Sequence, residues 1–387
     1  MNFRALQHQY LTALRADIIP FWEKYSIDPQ GGFLTCLDRA GAVYDTDKFV
    51  WLQARQVWTF SMLYTRLEKN PRWLAIARHG VDFLRAHGMD SEGNWYFTLT
   101  RDGTPLVQPY NVFSDCFAAM AFSQYALASG DLSAREIALR SYHNILRRRE
   151  NPKGTYAKIV PGTRPMKSYA LPMILLNLIQ ELAWMLEKQD ADALRTSLMN
   201  EVTSLYVDPE TRLVHEHVAP DGSHLDTFDG RLINPGHGIE GMWFLMSLAE
   251  ETRDTALISR ALDSIMATLE RAWDTRYGGI FYLLDAQGKP PLAMEWDQKL
   301  FWVHVETLVG LLLGYRLTKR ADCLAWFERI HEYTWQHFPD PAYGEWWGYL
   351  DRRGDVLIPL KGGKWKGCYH IPRSLFLCAT LLGEING

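Results

Sequence analysis

The chain has 387 residues, a formal net charge of -4 and 22% charged residues. With no long basic run, this balance excludes nucleic acid and an anionic membrane as main partners and leaves a small neutral ligand as the better fit. Its cysteines, Cys36, Cys116, Cys323, Cys368 and Cys378, stand far apart without zinc-knuckle or redox spacing, which points to a reducing cytosol.

From the N-terminus, Met1 to His8 lacks the apolar core of a signal peptide, so the first expected element is a helix over 2–26 and the expected location is cytoplasmic. A hairpin phrase follows, from Gly31-Gly32-Phe33 to Asp38-Arg39-Ala40-Gly41, and then helices over 49–69 and 72–88. A looser hairpin from Gly93 to Gly103 precedes helices over 111–130 and 133–150, and another from Gly154 to Gly162 precedes helices over 167–188 and 190–207. Arg212 to Gly222 is a third loose copy, before helices over 236–252 and 254–274. The last two hairpins are close copies of the first: Tyr277-Gly278-Gly279-Ile280-Phe281 leads to Asp285 and Gly288, and Tyr343-Gly344-Glu345-Trp346-Trp347 leads to Asp351 and Gly354. Helices over 298–317, 320–338 and 367–384 complete the order.

A rhythm of about sixty residues running from end to end marks a closed repeat assembly. The helices after each hairpin are apolar nearly all round, which predicts an inner ring; those before each hairpin carry a charged stripe, as in Arg135-Glu136 to Arg140, which predicts an outer ring. The expected architecture is all-α, an (α/α)6 barrel in one domain over 1–387, with short β-hairpins gathered on the face where the inner helices begin. That face is the expected site of function.

Ionisable residues in the first turns of apolar inner helices must pair in the core or line a central cavity. Arg55, Asp115, Lys167, His237, Glu240, His304, Glu306, His370 and Arg373 all meet that description. His237 and His370 open different inner helices and are expected to project into one cavity from different sides. Two such groups can remove a proton from one face of a carbon and return one to the other, inverting the centre. Glu240, one turn after His237, is expected to orient an imidazole. Arg55 is expected to stabilise an enolate oxygen, and Glu306 to anchor hydroxyls or share in ring opening. Asn111, Asp115, Lys167, Trp302 and Arg373 are candidate substrate-binding residues, with Lys167 and Arg373 equally suited to pairing with the carboxylates. The 15 tryptophans offer flat rings that suit sugar faces as well as packing. No metal-ligand spacing stands out.

Phe49-Val50-Trp51-Leu52-Gln53-Ala54-Arg55-Gln56-Val57-Trp58, Asn234-Pro235-Gly236-His237-Gly238-Ile239-Glu240, Glu295-Trp296-Asp297-Gln298-Lys299 and Lys364-Trp365-Lys366-Gly367-Cys368-Tyr369-His370-Ile371-Pro372-Arg373 resemble the N-acyl-D-glucosamine 2-epimerase family, in its epimerase branch. The resemblance covers essentially the whole chain. It implies a homodimeric (α/α)6 barrel that interconverts N-acetyl-D-glucosamine and N-acetyl-D-mannosamine. It also implies that His237 and His370 are the acid/base pair, with Arg55, Glu240 and Glu306 as essential companions and His370 facing the gluco form. No cofactor is consumed in such a scheme, and the resemblance implies ATP or another nucleotide as an activator. Arg147, Arg148, Asn151, Lys153 and Gly154 form one candidate nucleotide site, and the glycine-rich run Gly362 to Gly367 another; neither has P-loop spacing.

Four alternatives remain open on the sequence. The family also contains aldose-ketose isomerases and a cellobiose 2-epimerase, which share the histidine pair, so the pair does not choose the substrate. An (α/α)6 toroid also suits a glycoside hydrolase, which needs two carboxylates rather than two imidazoles. A non-catalytic, protease-binding protein is the fourth.

Overall fold

A helix that is apolar on nearly every side must be enclosed by neighbours, and in this chain such helices enclose one another. The structure is a computed structural model and describes residues 1–153, 160 and 162–387. It opens with α1 (Phe3–Ala13) and α2 (Ile19–Tyr25), joined through a widened turn at Leu14–Ile18. There follow α3 (Val50–Met62), α4 (Pro71–His87), α5 (Phe113–Ser129), α6 (Leu132–Arg148), α7 (Ala170–Leu182), α8 (Lys188–Glu201), α9 (Pro235–Thr252), α10 (Thr255–Ala272), α11 (Phe301–Thr318), α12 (Ala321–His337) and α13 (His370–Asn386).

The division into two rings is as expected. Along α11 every residue from Val303 to Gly314 is buried, whereas α8 buries only Ala191 and Leu198. Neighbouring inner helices pack in the order α3, α5, α7, α9, α11, α13, and α1 packs on α13. The ring closes where the chain ends. Thr59 Oγ1 on α3 donates to the Cys368 carbonyl at 2.7 Å, just before α13, and the Trp58 and Tyr369 rings meet edge to face at 5.1 Å. The fold is therefore the expected (α/α)6 barrel. No helix among the described residues is long and apolar enough to cross a membrane.

The hairpin face is stitched by short antiparallel pairs, each joining the entry to an inner helix with the next hairpin. Lys48–Phe49 pairs with Thr98–Leu99, Lys167–Ser168 with His217–Val218, Leu232–Ile233 with Leu284–Asp285, and Lys299–Leu300 with Tyr349–Leu350. An Asp38–Leu360 bridge carries the stitching across the closure. These pairs correct two boundaries: α7 starts at Ala170 and α11 at Phe301, a few residues later than the apolar pattern predicts, because the preceding residues are held as strands.

A charge motif repeats on the same face. Asp28, Asp274 and Asp340 each open a hairpin, and each meets one buried lysine and one arginine: Lys48 (2.9 Å) and Arg101 (2.8 Å), Lys299 (3.3 Å) and Arg352 (3.0 Å), Lys361 (2.9 Å) and Arg39 (2.8 Å). Arg39 belongs to the first hairpin and Asp340 to the last, so this motif too spans the closure. Burial disfavours the charged carboxylates of Asp28 and Asp340, yet their cationic partners hold both down to about 2.

Close packing between inner helices depends on small residues. A Cβ built on Gly241 of α9 would lie 1.8 Å from the Tyr169 hydroxyl and 3.0 Å from Met173 Cγ. Replacing a helical glycine by alanine normally stabilises by about 1 kcal/mol. Here overpacking of about 1–3 kcal/mol opposes that gain, and Gly241→Ala is expected to melt below the parent in a thermal unfolding scan; an equal or higher melting temperature would contradict the contact.

Candidate active site

The strand Leu232–Ile233 delivers the chain to Asn234, whose side-chain oxygen accepts the His237 backbone N–H at 3.2 Å and caps α9, with Pro235 at the first helical position. His237 is thereby fixed in the first turn. Gly236 leaves room for an aromatic wall, since a Cβ there would lie 2.4 Å from the Trp302 ring. His370 opens α13 directly after the ring closure.

Both histidines line a single cavity of about 690 Å³ at the hairpin end of the barrel, together with Arg55, Glu240, Asn111 and Trp302. The two imidazoles lie against the same indole, their ring centres 5.5 Å (His237) and 5.8 Å (His370) from that of Trp302. Each Nδ1 is held by its own carboxylate. His237 Nδ1 is 3.0 Å from Glu216 Oε2, and His370 Nδ1 is 2.8 Å from Glu306 Oε1. This leaves Nε2 of each ring as the atom available to a ligand.

The two imidazoles differ in basicity. Burial penalises the charged form of both. At His237 the Glu216 carboxylate outweighs that penalty and raises the pKa, whereas at His370 burial is reinforced by the Arg55 and Arg373 guanidinium groups and the pKa falls well below the usual histidine value. Glu306 does not reverse this, because Arg373 shares its carboxylate at 2.7 Å. His370 is thus the imidazole that burial keeps neutral, and His237 the one that holds a proton more readily.

Arg55 sits between aromatic faces, with its guanidinium carbon 4.0 Å from the Phe117 ring centre, 4.4 Å from Trp51 and 4.9 Å from Tyr369. Burial pushes its pKa down to about 10, and its Nε is buried without a hydrogen-bond partner among the described residues. A cation so placed is poised to meet negative charge developing in the cavity.

Several expected roles are corrected. Glu240 lines the cavity but orients neither imidazole; its carboxylate pairs with Arg373. Glu216 does the orienting at His237, and sequence reading missed it. Glu306 is fully buried and does not line the cavity: besides His370 and Arg373 it accepts from Trp243 Nε1 and Ser374 Oγ, both at 3.2 Å, so it reaches the cavity only through His370. Arg373 is a structural partner of the carboxylates, donating also to the Tyr369 hydroxyl at 3.0 Å. Glu240, Glu306 and His370 stand close enough together to share a metal ion, and Arg373 already supplies the counter-charge there.

On α5 the cavity positions are Phe113, Ser114 and Phe117, so Asp115 falls on the α6 side. There it accepts from Asn144 Nδ2 (3.0 Å) and Arg148 Nη1 (3.2 Å), and burial pushes its pKa up to about 7 against the pull of Arg148. Lys167 lies in a rim strand and does not line the cavity, and His304 is a core residue whose Nε2 accepts the Ile280 N–H at 3.0 Å. The cavity also takes Tyr282, Glu295, Gln298 and Tyr349, to which the sequence assigned no binding role, and Trp365 from the glycine-rich run.

The first nucleotide candidate is not brought together. Arg148 binds Asp115 and the Pro109 and Pro152 carbonyls, Arg147 lines a second pocket of about 510 Å³ beside Asp90 and Glu92, and Lys153 lines the main cavity. Asn151 is exposed in the turn after α6, and Gly154 lies outside the described residues. In the glycine-rich run, Lys366 is buried on Glu345 at 2.9 Å and Trp365 forms part of the cavity wall.

A family model described as N-acylglucosamine 2-epimerase (GlcNAc 2-epimerase) matches residues 32–374. The chain belongs to the N-acylglucosamine 2-epimerase family. Within that family it is 37% identical to the N-acylglucosamine 2-epimerase of Bos taurus, over 95% of this chain and 89% of the relative. Identity to the cellobiose 2-epimerase of Bacteroides fragilis is 27%, over 98% of this chain and 99% of the relative. The fold matches the solved cellobiose 2-epimerase from Spirochaeta thermophila with a TM-score of 0.84 at 21% identity, covering 100% of this chain and 98% of that one.

Glu216 gives the two histidines a testable asymmetry. Removing its charge with Glu216→Gln takes away what raises the His237 pKa. In the direction where His237 donates a proton, activity falls as pH rises through that pKa, so the alkaline limb of kcat is expected to move to lower pH. An unmoved limb would detach Glu216 from the reaction.

Proposed function

We propose that the protein interconverts N-acetyl-D-glucosamine and N-acetyl-D-mannosamine by proton transfer at carbon 2. The observation that carries the reading is the pair of imidazoles on one cavity, each fixed at Nδ1 by a separate carboxylate, with the pKa of His237 raised and that of His370 lowered. The sugar opens to its aldehyde; Nε2 of His370 removes the carbon 2 proton of the gluco epimer, and the C–H electron pair passes into an enolate beside Arg55. His237 then delivers its Nε2 proton to the opposite face. The reverse reaction exchanges the two roles, so the protonation states must reset between turnovers. Glu216 and Glu306 are positioning residues in this scheme, and Asn111, Trp302 and Glu240 are the expected substrate contacts. A 2-acetamido group blocks simple ketose formation, so with this substrate only epimerisation is open.

The choice of N-acyl sugar over a free 2-hydroxyl sugar is supported by the higher identity to the bovine enzyme than to the cellobiose 2-epimerase. Nucleotide activation and a homodimer belong to the same reading and rest on the family resemblance, and a cytoplasmic location rests on the scattered cysteines and the polar N-terminus. Proton NMR of the purified protein with each N-acetylated sugar in deuterium oxide, with and without ATP, tests it. Interconversion with deuterium at carbon 2 is expected. Turnover of mannose or cellobiose in its place would move the assignment to another branch, and cleavage of a disaccharide would move it to another reaction class.

A further inference from the structure

Two hairpin aspartates depart from the lysine–arginine pattern among the described residues: Asp90, whose Oδ2 accepts from Asn94 Nδ2 at 3.0 Å, and Asp208, which meets histidines. Asp208 stands where Asp28 and Asp274 stand in theirs: Val207 bridges Val214 behind it, and its Oδ1 accepts the turn amides of Glu210 (2.9 Å) and Thr211 (2.7 Å). In the Asp28, Asp274 and Asp340 copies the carboxylate meets a lysine and an arginine. Among the described residues no lysine or arginine pairs with Asp208; its Oδ2 instead faces His224 Nδ1 at 3.3 Å. The residue after the turn changes as well. Phe281 and Trp347 take that place in the Asp274 and Asp340 copies, with the lysine ammonium 3.9 and 4.0 Å from their ring centres. Here it is His215, stacked on His224 with ring centres 3.8 Å apart and planes 12° from parallel.

His215 is prepared for a ligand. It is 4% exposed, burial lowers its pKa so that it is neutral, and its Nδ1 meets the Gly230 carbonyl at 2.9 Å. An imidazole that donates from Nδ1 to a carbonyl presents the Nε2 lone pair, the arrangement that commonly fixes metal-binding histidines. One ligand atom each from Asp208, His215 and His224 falls within 4.8 Å of the others. We propose that Asp208, His215 and His224 bind a divalent cation of the zinc class, which takes the place filled by the lysine and arginine in the Asp28, Asp274 and Asp340 copies.

Two imidazoles and a carboxylate suit zinc, which binds nitrogen at about 2.0–2.1 Å and completes a tetrahedron with water. The donors must draw together from their present spacing. His224 lies on a loop at the rim with its side chain 26% exposed, so it is free to make that movement. None of the three residues lines the catalytic cavity, and the proposal does not rest on the sugar reaction. A bound ion would tie the loop carrying His224 to the hairpin segment that carries Glu216.

Titration of chelator-treated full-length protein with zinc by calorimetry tests this, alongside cobalt absorption and thermal unfolding. Saturable binding of one zinc per chain is expected, with a rise in melting temperature. Loss of one ligand is expected to weaken affinity by about 100-fold or more, since even outer partners of metal-bound histidines contribute 10–100-fold. His224→Ala, on the exposed loop, is the decisive variant, and Asp208→Asn the second. Absence of saturable binding would overturn the proposal and leave His224 as a plain ion-pair partner of Asp208. Undiminished binding by His224→Ala would overturn it too, placing zinc elsewhere in the molecule.

Discussion

His370→Ala and His237→Ala are each expected to lower epimerisation by at least about 10² to 10⁴, the contribution of a positioned acid or base. The decisive signature is what each variant retains. With one imidazole left, the remaining base can still take a proton from the epimer it faces and return deuterium to the same face. His237→Ala is therefore expected to wash deuterium into N-acetylglucosamine without inverting it, and His370→Ala to do the same with N-acetylmannosamine. The two should differ in pH dependence. His370 is held neutral by burial and by Arg55, so exchange in His237→Ala is expected to be nearly flat across neutral pH. Glu216 raises the His237 pKa, and exchange in His370→Ala is expected to climb as pH rises and the imidazole loses its proton. Normal epimerisation by both variants would end the two-base scheme.

Arg373→Leu is expected to have the largest effect on stability. The guanidinium is 2% exposed and lies between the Glu240 and Glu306 carboxylates, and its removal leaves two buried acids facing each other without a counter-charge. Breaking a buried pair in this way destabilises by about 3–5 kcal/mol. The urea midpoint should fall with the slope unchanged. Arg373→Lys keeps the charge but cannot reach both carboxylates in one plane, so an intermediate midpoint is expected. If Arg373→Leu unfolds at the same denaturant concentration as the parent, the carboxylates are not being held by this residue. Because Arg373 also helps hold the His370 pKa down, its loss should raise the lower pH limb of any residual activity.

Much of the architecture is legible in the residues because burial leaves a periodic mark. The unbroken apolar run of α11 and the charged stripe of α6 separate the rings without reference to any contact. The starts of α7 and α11 are less legible: Lys167–Ser168 and Lys299–Leu300 are strands only because a hairpin one repeat later pairs with them, and no local signal carries that information. The site divides along the same line. His237, Glu240, Arg55 and His370 stand out as ionisable groups on apolar helices, and all four reach the cavity. Asp115 carries the same mark but lies on the α6 side of its helix, a distinction set by ring geometry. Glu216 leaves no mark, since it sits among histidines on a short hairpin whose facing depends on pairing with Lys167–Ser168. The lysine and arginine that meet Asp28, Asp274 and Asp340 are likewise separated from them in sequence, and only the closed ring brings them together.

The join between α3 and α13 has a consequence for biosynthesis. His370 is synthesised long after α3, and Thr59 grips the chain just ahead of it. A chain in which α13 has not yet been made therefore owns one of the two imidazoles and an open cleft, and the pair is assembled only when α13 docks beside α3.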